Sequence, residues 1–251
     1  MKLTKIIGST LALAMLAITA GCATVPKLTG TEKIAVVNFY LDKSIVAEGA
    51  QPDPGPGFLN ANKADYYANQ QASLDQAWAA FKANEPNIIG AGRCVDPATI
   101  DGNADMLALT APVADKGMGV DKNLADMFLH PVGLRYVNVY DAKMDAKLAQ
   151  LLNADILLSI GLKARYAMAG GISIGGIGGG TMKMKLTAIL TEALPTGRIL
   201  RTVELTGTSK ETVDAGHIGV GSGMDPKNFP RLVVSAQEDL MDKIAKEIAA
   251  W

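Results

Sequence analysis

A chain of 251 residues with 24 basic and 25 acidic side chains carries a formal charge of −1, so it has no electrostatic surplus with which to hold nucleic acid. Hydrophobic residues make up 49%, enough for one sizeable core. The 2 cysteines exclude a dense disulfide framework.

Lys2 and Lys5 precede an uncharged apolar run, Ile6 to Ala20, which closes in Thr19-Ala20-Gly21-Cys22. The run is shorter than the roughly 20 apolar residues of a membrane span, and a signal peptide over residues 1–21 is predicted. Its small-small-Cys ending resembles the lipobox of bacterial lipoproteins, with Thr19 where an aliphatic residue is usual. The resemblance implies lipidation (palmitate) at Cys22, a tether over residues 22–32 and, with Ala23 after the cysteine, sorting to the outer membrane facing the periplasm. Cys94 then remains alone and reads as a small buried hydrophobe.

Residues 33–251 read as a single αβ domain with irregular insertions around 41–61 and 95–133. Ile34 to Tyr40 is a continuous apolar run, as a central strand requires. Pro52, Pro54, Gly55, Pro56 and Gly57 mark a loop from Leu41 to Asn60. Asn62 suits a helix N-cap, Tyr67, Leu74, Trp78 and Phe81 recur at helical spacing, and Pro86 lies beyond the helix end. Asn87 to Cys94 is a candidate short strand. Asp96 to Gly119 has no regular pattern, and Asp121 to Leu129 is a candidate short helix before Pro131.

Leu134 to Tyr140 reads as a strand. Asp141 caps a helix with Met144, Leu148 and Leu151 on one face, and Asn153 suits a left-handed exit. With the strand from Asp155 to Tyr166 this makes a βαβ unit, so two strands are parallel and the sheet is mixed. A glycine-rich loop is expected over Met168 to Gly180. The next strand alternates, with Met182, Met184, Leu186, Ala188 and Leu190 on one side and Lys183, Lys185, Thr187 and Thr191 on the other. Pro195-Thr196-Gly197 turns the chain into a third strand, Ile199 to Thr208. After a second glycine-rich stretch, Gly216 to Gly223, Asn228 and Pro230 open a helix whose stripe is Val233, Ala236, Leu240, Ile244 and Ile248. The predicted fold class is α/β (α+β): a mixed sheet with a βαβ unit, then an antiparallel hairpin, and helices packed on the sheet.

Ile34-Ala35-Val36-Val37, Tyr136-Val137-Asn138-Val139, Asn153-Ala154-Asp155-Ile156-Leu157-Leu158 and Thr196-Gly197-Arg198-Ile199-Leu200 together resemble the curli-secretion lipoprotein family. They are also similar to the lipoprotein activators of peptidoglycan synthases, which share an αβ fold with the N-terminal domain of TolB. The likeness is best from Arg135 to Gly207 and rests on structural turns, so it transfers no catalytic residue. It implies a non-enzymatic accessory or regulatory module for another envelope protein. In the curli-secretion relatives extensions between strands form a membrane pore, so an oligomeric outer-membrane secretion pore is the alternative. On either reading Ile172, Ile174 and Ile177 are the candidate contacts to partner or membrane. As a loop, however, the segment is shorter than the two strands of about 9 to 11 residues that a membrane hairpin needs.

Gly171-Ile172-Ser173-Ile174-Gly175 matches the G-x-S-x-G elbow of serine hydrolases, with Asp214 and His217 downstream, but no helix-forming stretch follows Ser173 as an elbow requires. His130 and His217 are the only histidines and are not at ligand spacing, so no metal set is expected. No cofactor motif and no paired carboxylates stand out, and no catalytic residue is assigned. Trp251 reads as a core or interface aromatic.

Overall fold

The computed structural model describes residues 29–42, 46–47, 63–110, 128–135, 141–174, 177–217 and 228–250. Signal peptide, Cys22, the Asn62 cap, the segment 136–140 and Trp251 lie outside them, as do most of the expected loop 41–60 and residues 121–127 of the expected short helix. Within them a mixed 7-stranded sheet has four α-helices packed alongside. In chain order these are β1 (Ile34–Asp42), β2 (Val46–Ala47), α1 (Lys63–Glu85), α2 (Ala104–Leu109), β3 (Phe128–Leu129), α3 (Ala142–Leu152), β4 (Ile156–Ile174), β5 (Ile177–Ala193), β6 (Ile199–Thr208), β7 (Val213–His217) and α4 (Phe229–Ala249).

The order across the sheet is β3-β1-β4-β5-β6. β1 lies parallel to β4 from Ile34↔Ile156 to Leu41↔Leu162, with an irregularity between Val36 and Asn38. β5 is antiparallel to both β4 and β6. Ile34 to Phe39 are all buried, as expected of a strand covered on both faces.

One face is closed by α1 and α4. Leu74, Trp78 and Phe81 of the expected stripe are at most 2% exposed. Phe39 meets the rings of Trp78 and Phe81 at 5.1 and 5.7 Å. All five stripe residues of α4 are buried, and Gln237 Nε2 donates to Ala77 O at 3.1 Å, joining the two helices. α3 packs against β1 and β4. Its cap is as expected: Asp141 accepts from the Lys143 and Met144 amides, and Asn153 closes it at φ 48° and ψ 49°.

Several expectations are corrected. α1 ends at Glu85, but Pro86–Gly90 continues as a π-helical turn that buries Ile88 and Ile89, so Asn87 to Cys94 is no strand; only Cys94 bridges to Ile34. Phe128 and Leu129 are a strand paired with β1 rather than the end of a helix. Leu41 and Asp42 still belong to β1, and Val46–Ala47 pairs with β4, so these residues are not loop. Leu134 and Arg135 are outside any strand. The buried face of α3 holds Asp145, Leu148, Ala149 and Leu152, while Leu151 is 38% exposed. The largest correction falls on Met168 to Gly180, where the described residues are strand, not loop.

β6 is an edge strand, and α4 blocks part of its edge. Asp239 accepts from the Thr208 amide at 2.9 Å, and Lys243 Nζ donates to Thr206 O at 2.7 Å. These side chains occupy groups that another strand would otherwise use. The helix sits this close because Gly207 has no side chain: an added Cβ would stand 2.6 Å from Leu240 Cβ and 2.7 Å from its backbone nitrogen. Gly207→Val is therefore expected to destabilise the protein by about 2 to 3 kcal/mol, measured as a lower urea midpoint with unchanged slope.

Candidate functional site

The described structure departs furthest from a closed sandwich where β4 and β5 outrun their neighbours. β1 pairs with β4 only as far as Leu162, and β6 pairs with β5 only as far as Lys185. The two long strands stay paired with each other to Ile174↔Ile177. Beyond the body they meet, among the described residues, only short strands, β2 at Arg165 and Tyr166 and β7 between Gly179 and Met182. Ala169, Gly170 and Thr181 are exposed. The glycine-rich segment is thus the outer part of a two-stranded ribbon with β7 along one side.

Alternation gives the ribbon two distinct faces. Tyr166 and Ala164 oppose Met184 and Leu186, and Leu186 in turn opposes Gly207, against which α4 packs. The other face carries Lys163 and Arg165 from β4 and Lys183 and Lys185 from β5. Arg165 is directly opposite Lys185, Lys163 opposite Thr187, and Lys183 opposite Ala167. Thr187 continues the polar face into β6 through a 2.9 Å contact between its hydroxyl and that of Thr206. Arg165 is exposed and the three lysines are half-buried.

Sequence reading placed Lys183 and Lys185 on the polar side of a strand but did not join them to Lys163 and Arg165. The signal was present: Leu162-Lys163-Ala164-Arg165-Tyr166 and Met182-Lys183-Met184-Lys185-Leu186 are matching alternations. Only the hairpin register sets them side by side.

The other singled-out residues do not gather. Ser173 is opposite Gly178 and His217 is opposite Gly179, adjacent β5 positions on opposite faces of the ribbon. The chain continues from Ser173 as strand, not into the helix that an elbow uses. The backbone carbonyl of His130 accepts from Gln71 Nε2 at 2.8 Å, which ties the loop before Pro131 to α1. Cys94 is half-buried, and burial, then the nearby Glu85 carboxyl, pushes its thiol up, away from thiolate chemistry. Among the described residues no group of three or more His, Cys, Asp or Glu could hold a metal ion. No described helix is long and apolar enough to cross a membrane. A cleft of about 380 Å³ between α1 and α4 is lined by Lys210, Glu211, Arg231 and Glu238. Those four pair among themselves, Arg231 with Glu211 at 2.8 Å and Lys210 with Glu238 at 3.7 Å.

Three buried acids lie in the body. Glu192 of β5 is directly opposite Arg201 of β6, at 2.9 Å from its Nε. Burial pushes the Glu192 carboxyl up, while Arg201 and Arg93 pull it down. Glu85, at the end of α1, is fully buried with neither carboxylate oxygen hydrogen-bonded. Burial first, and the Asp96 charge second, raise it from 4.5 to about 7. Asp145 in α3 is raised from 3.8 to about 6 by burial and by Asp141. No family model matches the chain, and no curated protein matches it.

Glu85 and Asp145 bind their protons more tightly folded than unfolded. Their favourable contribution is complete below the ordinary carboxylate values and is lost as pH rises through about 6 for Asp145 and about 7 for Glu85. The melting temperature is therefore expected to fall between pH 5 and pH 8. Glu85→Gln should recover about 2 kcal/mol of stability at pH 8 and leave pH 5 nearly unchanged. Parallel wild-type and variant melting curves across that range would disprove the assignment.

Proposed function

We propose that the chain is a lipid-anchored protein of the bacterial cell envelope, tethered at Cys22, and that it acts as a non-enzymatic accessory or regulatory binding module for another envelope protein. The observation that carries this reading is the β4–β5 ribbon. The hairpin runs past both neighbouring strands, and its outer positions, including Ile172, Ile174 and Ile177, lie beyond the end of the β1 and β6 pairing. The Thr19-Ala20-Gly21-Cys22 ending supplies the anchor, because two acyl chains hold a protein on a bilayer stably where one does so only marginally. The residues that could have suggested a serine hydrolase are on opposite faces of the ribbon, which weighs against that chemistry.

The same ribbon favours one other reading, a subunit of an oligomeric outer-membrane pore. From the residues alone the pore ranks second to the accessory module, because a short loop cannot cross a bilayer. As β4 and β5, the segment has the strand form that a membrane hairpin uses, with about 9 to 11 residues needed per crossing.

Metabolic labelling with an alkyne palmitate analogue is expected to mark the wild-type chain in a bacterial host and not Cys22→Ala. An unlabelled wild type would refute the anchor. The mass of the labelled protein in detergent, corrected for bound detergent, separates the two readings: a monomer or dimer supports the accessory module, whereas a ring of many copies supports the pore.

A further inference from the structure

We propose that the open face of the β4–β5 ribbon docks on anionic membrane lipid, with Lys163, Arg165, Lys183 and Lys185 engaging headgroup phosphates and the ribbon tip entering the acyl boundary. This rests on the envelope reading only for the presence of a nearby bilayer.

The register carries the inference. Along β5, positions 185, 183, 181, 179 and 177 alternate onto one face without interruption. On β4, Lys163 and Arg165 share that face, and simple alternation would then send Ile172 and Ile174 to the other one. The irregularity between Met168 and Gly170 shifts the phase, so that Gly170, Ile172 and Ile174 stand opposite Thr181, Gly179 and Ile177. One face therefore runs from a basic belt at the body to three isoleucine positions at the tip. That sequence of a cationic band followed by an apolar end suits a surface whose phosphates lie just above hydrocarbon. A soluble polyanion would match the belt and leave the isoleucine positions unused.

Arg165 stands directly opposite Lys185, a like-charge cross-strand pair on this face. Among the described residues Lys163, Arg165 and Lys183 make no ion pair. Three acids share this face: Asp42, next in register to Lys163, Asp214 opposite Thr181, and Glu204 opposite Ile189. In a chain of net charge −1 the belt is a local concentration of positive charge.

The test is flotation of the full chain with vesicles of phosphatidylcholine alone or with added phosphatidylglycerol, read together with hydrogen exchange over residues 163–185. Exchange at 170–181 is expected to slow severalfold on anionic relative to neutral vesicles. The slowing should disappear at high salt and in Lys183→Glu/Lys185→Glu, and should weaken in Lys183→Gln/Lys185→Gln, with the melting temperatures of both variants confirming that they fold. Equal exchange on the two vesicle types would overturn the proposal, as would slowing by heparin in solution without slowing on vesicles. Flotation with phosphatidylcholine alone reports the acyl anchor independently. If that is lost while the anionic response persists, the anchor at Cys22 fails and the docking face stands.

Discussion

Between Ile156 and Leu162 the chain of β4 runs between two partners at once, parallel to β1 and antiparallel to β5, and nearly every other feature of the molecule hangs from that position. On one side, the parallel pairing with β1 requires a long crossover, and α1, α2 and α3 all lie within it. On the other side, the tight turn at Leu194 to Arg198 returns β5 into β6 and sets the register that brings Gly207 beneath α4. Slipping β4 by one residue would turn Leu158, Ile160 and Leu162 away from α1 and α4, so the buried face fixes the pairing. That register then persists into the ribbon, where the core reaches only its inner positions, such as Tyr166 and Met184, and the short strands β2 and β7 are the other strand partners among the described residues.

The same constraint explains the surface chemistry. A hairpin locked at Leu158↔Glu192 must place Arg165 against Lys185 seven residues later, whatever the cost of that repulsion. The body tolerates polar strain elsewhere too. Glu85 and Asp145 are carboxyls without hydrogen-bond partners in fully buried positions, and both are held toward the neutral form by desolvation. These acids lie in helices away from the ribbon, so they bear on stability with pH and not on the cationic face.

Elements whose information is local were legible from the residues alone. β1 announced itself by an unbroken β-branched and aromatic run, β5 by alternation, α3 by Asp141 and Asn153 at its ends, and α4 by a stripe at helical spacing. Elements set by long-range pairing were not. Gly170, Gly171, Gly178, Gly179 and Gly180 have low strand propensity and show no face pattern, so their β structure comes from propagation of the β4–β5 ladder. Ile88 and Ile89 suggested a strand, yet Pro86 starts a π-helical turn that buries both. The face of α3 was misread because Asp145, a residue expected at the surface, occupies one of its buried positions. Ile172, Ile174 and Ile177 stand out in the sequence as candidate contacts, but the register that places their positions on one face with four cations depends on one irregularity between Met168 and Gly170.

Everything beyond the body of the sheet depends on β4 and β5 staying paired out to Ile174 and Ile177. Backbone NMR of the full chain in a membrane mimetic would decide it, through nuclear Overhauser contacts between Ile172 and Gly179 and between Ser173 and Gly178. Cross-strand contacts at those pairs, with extended-strand shifts from Gly170 to Thr181, are the expected result. Random-coil shifts over that stretch, with no cross-strand contact beyond Met168 and Met182, would return it to a loop and remove the shared face on which both the proposed function and the lipid-docking surface rest.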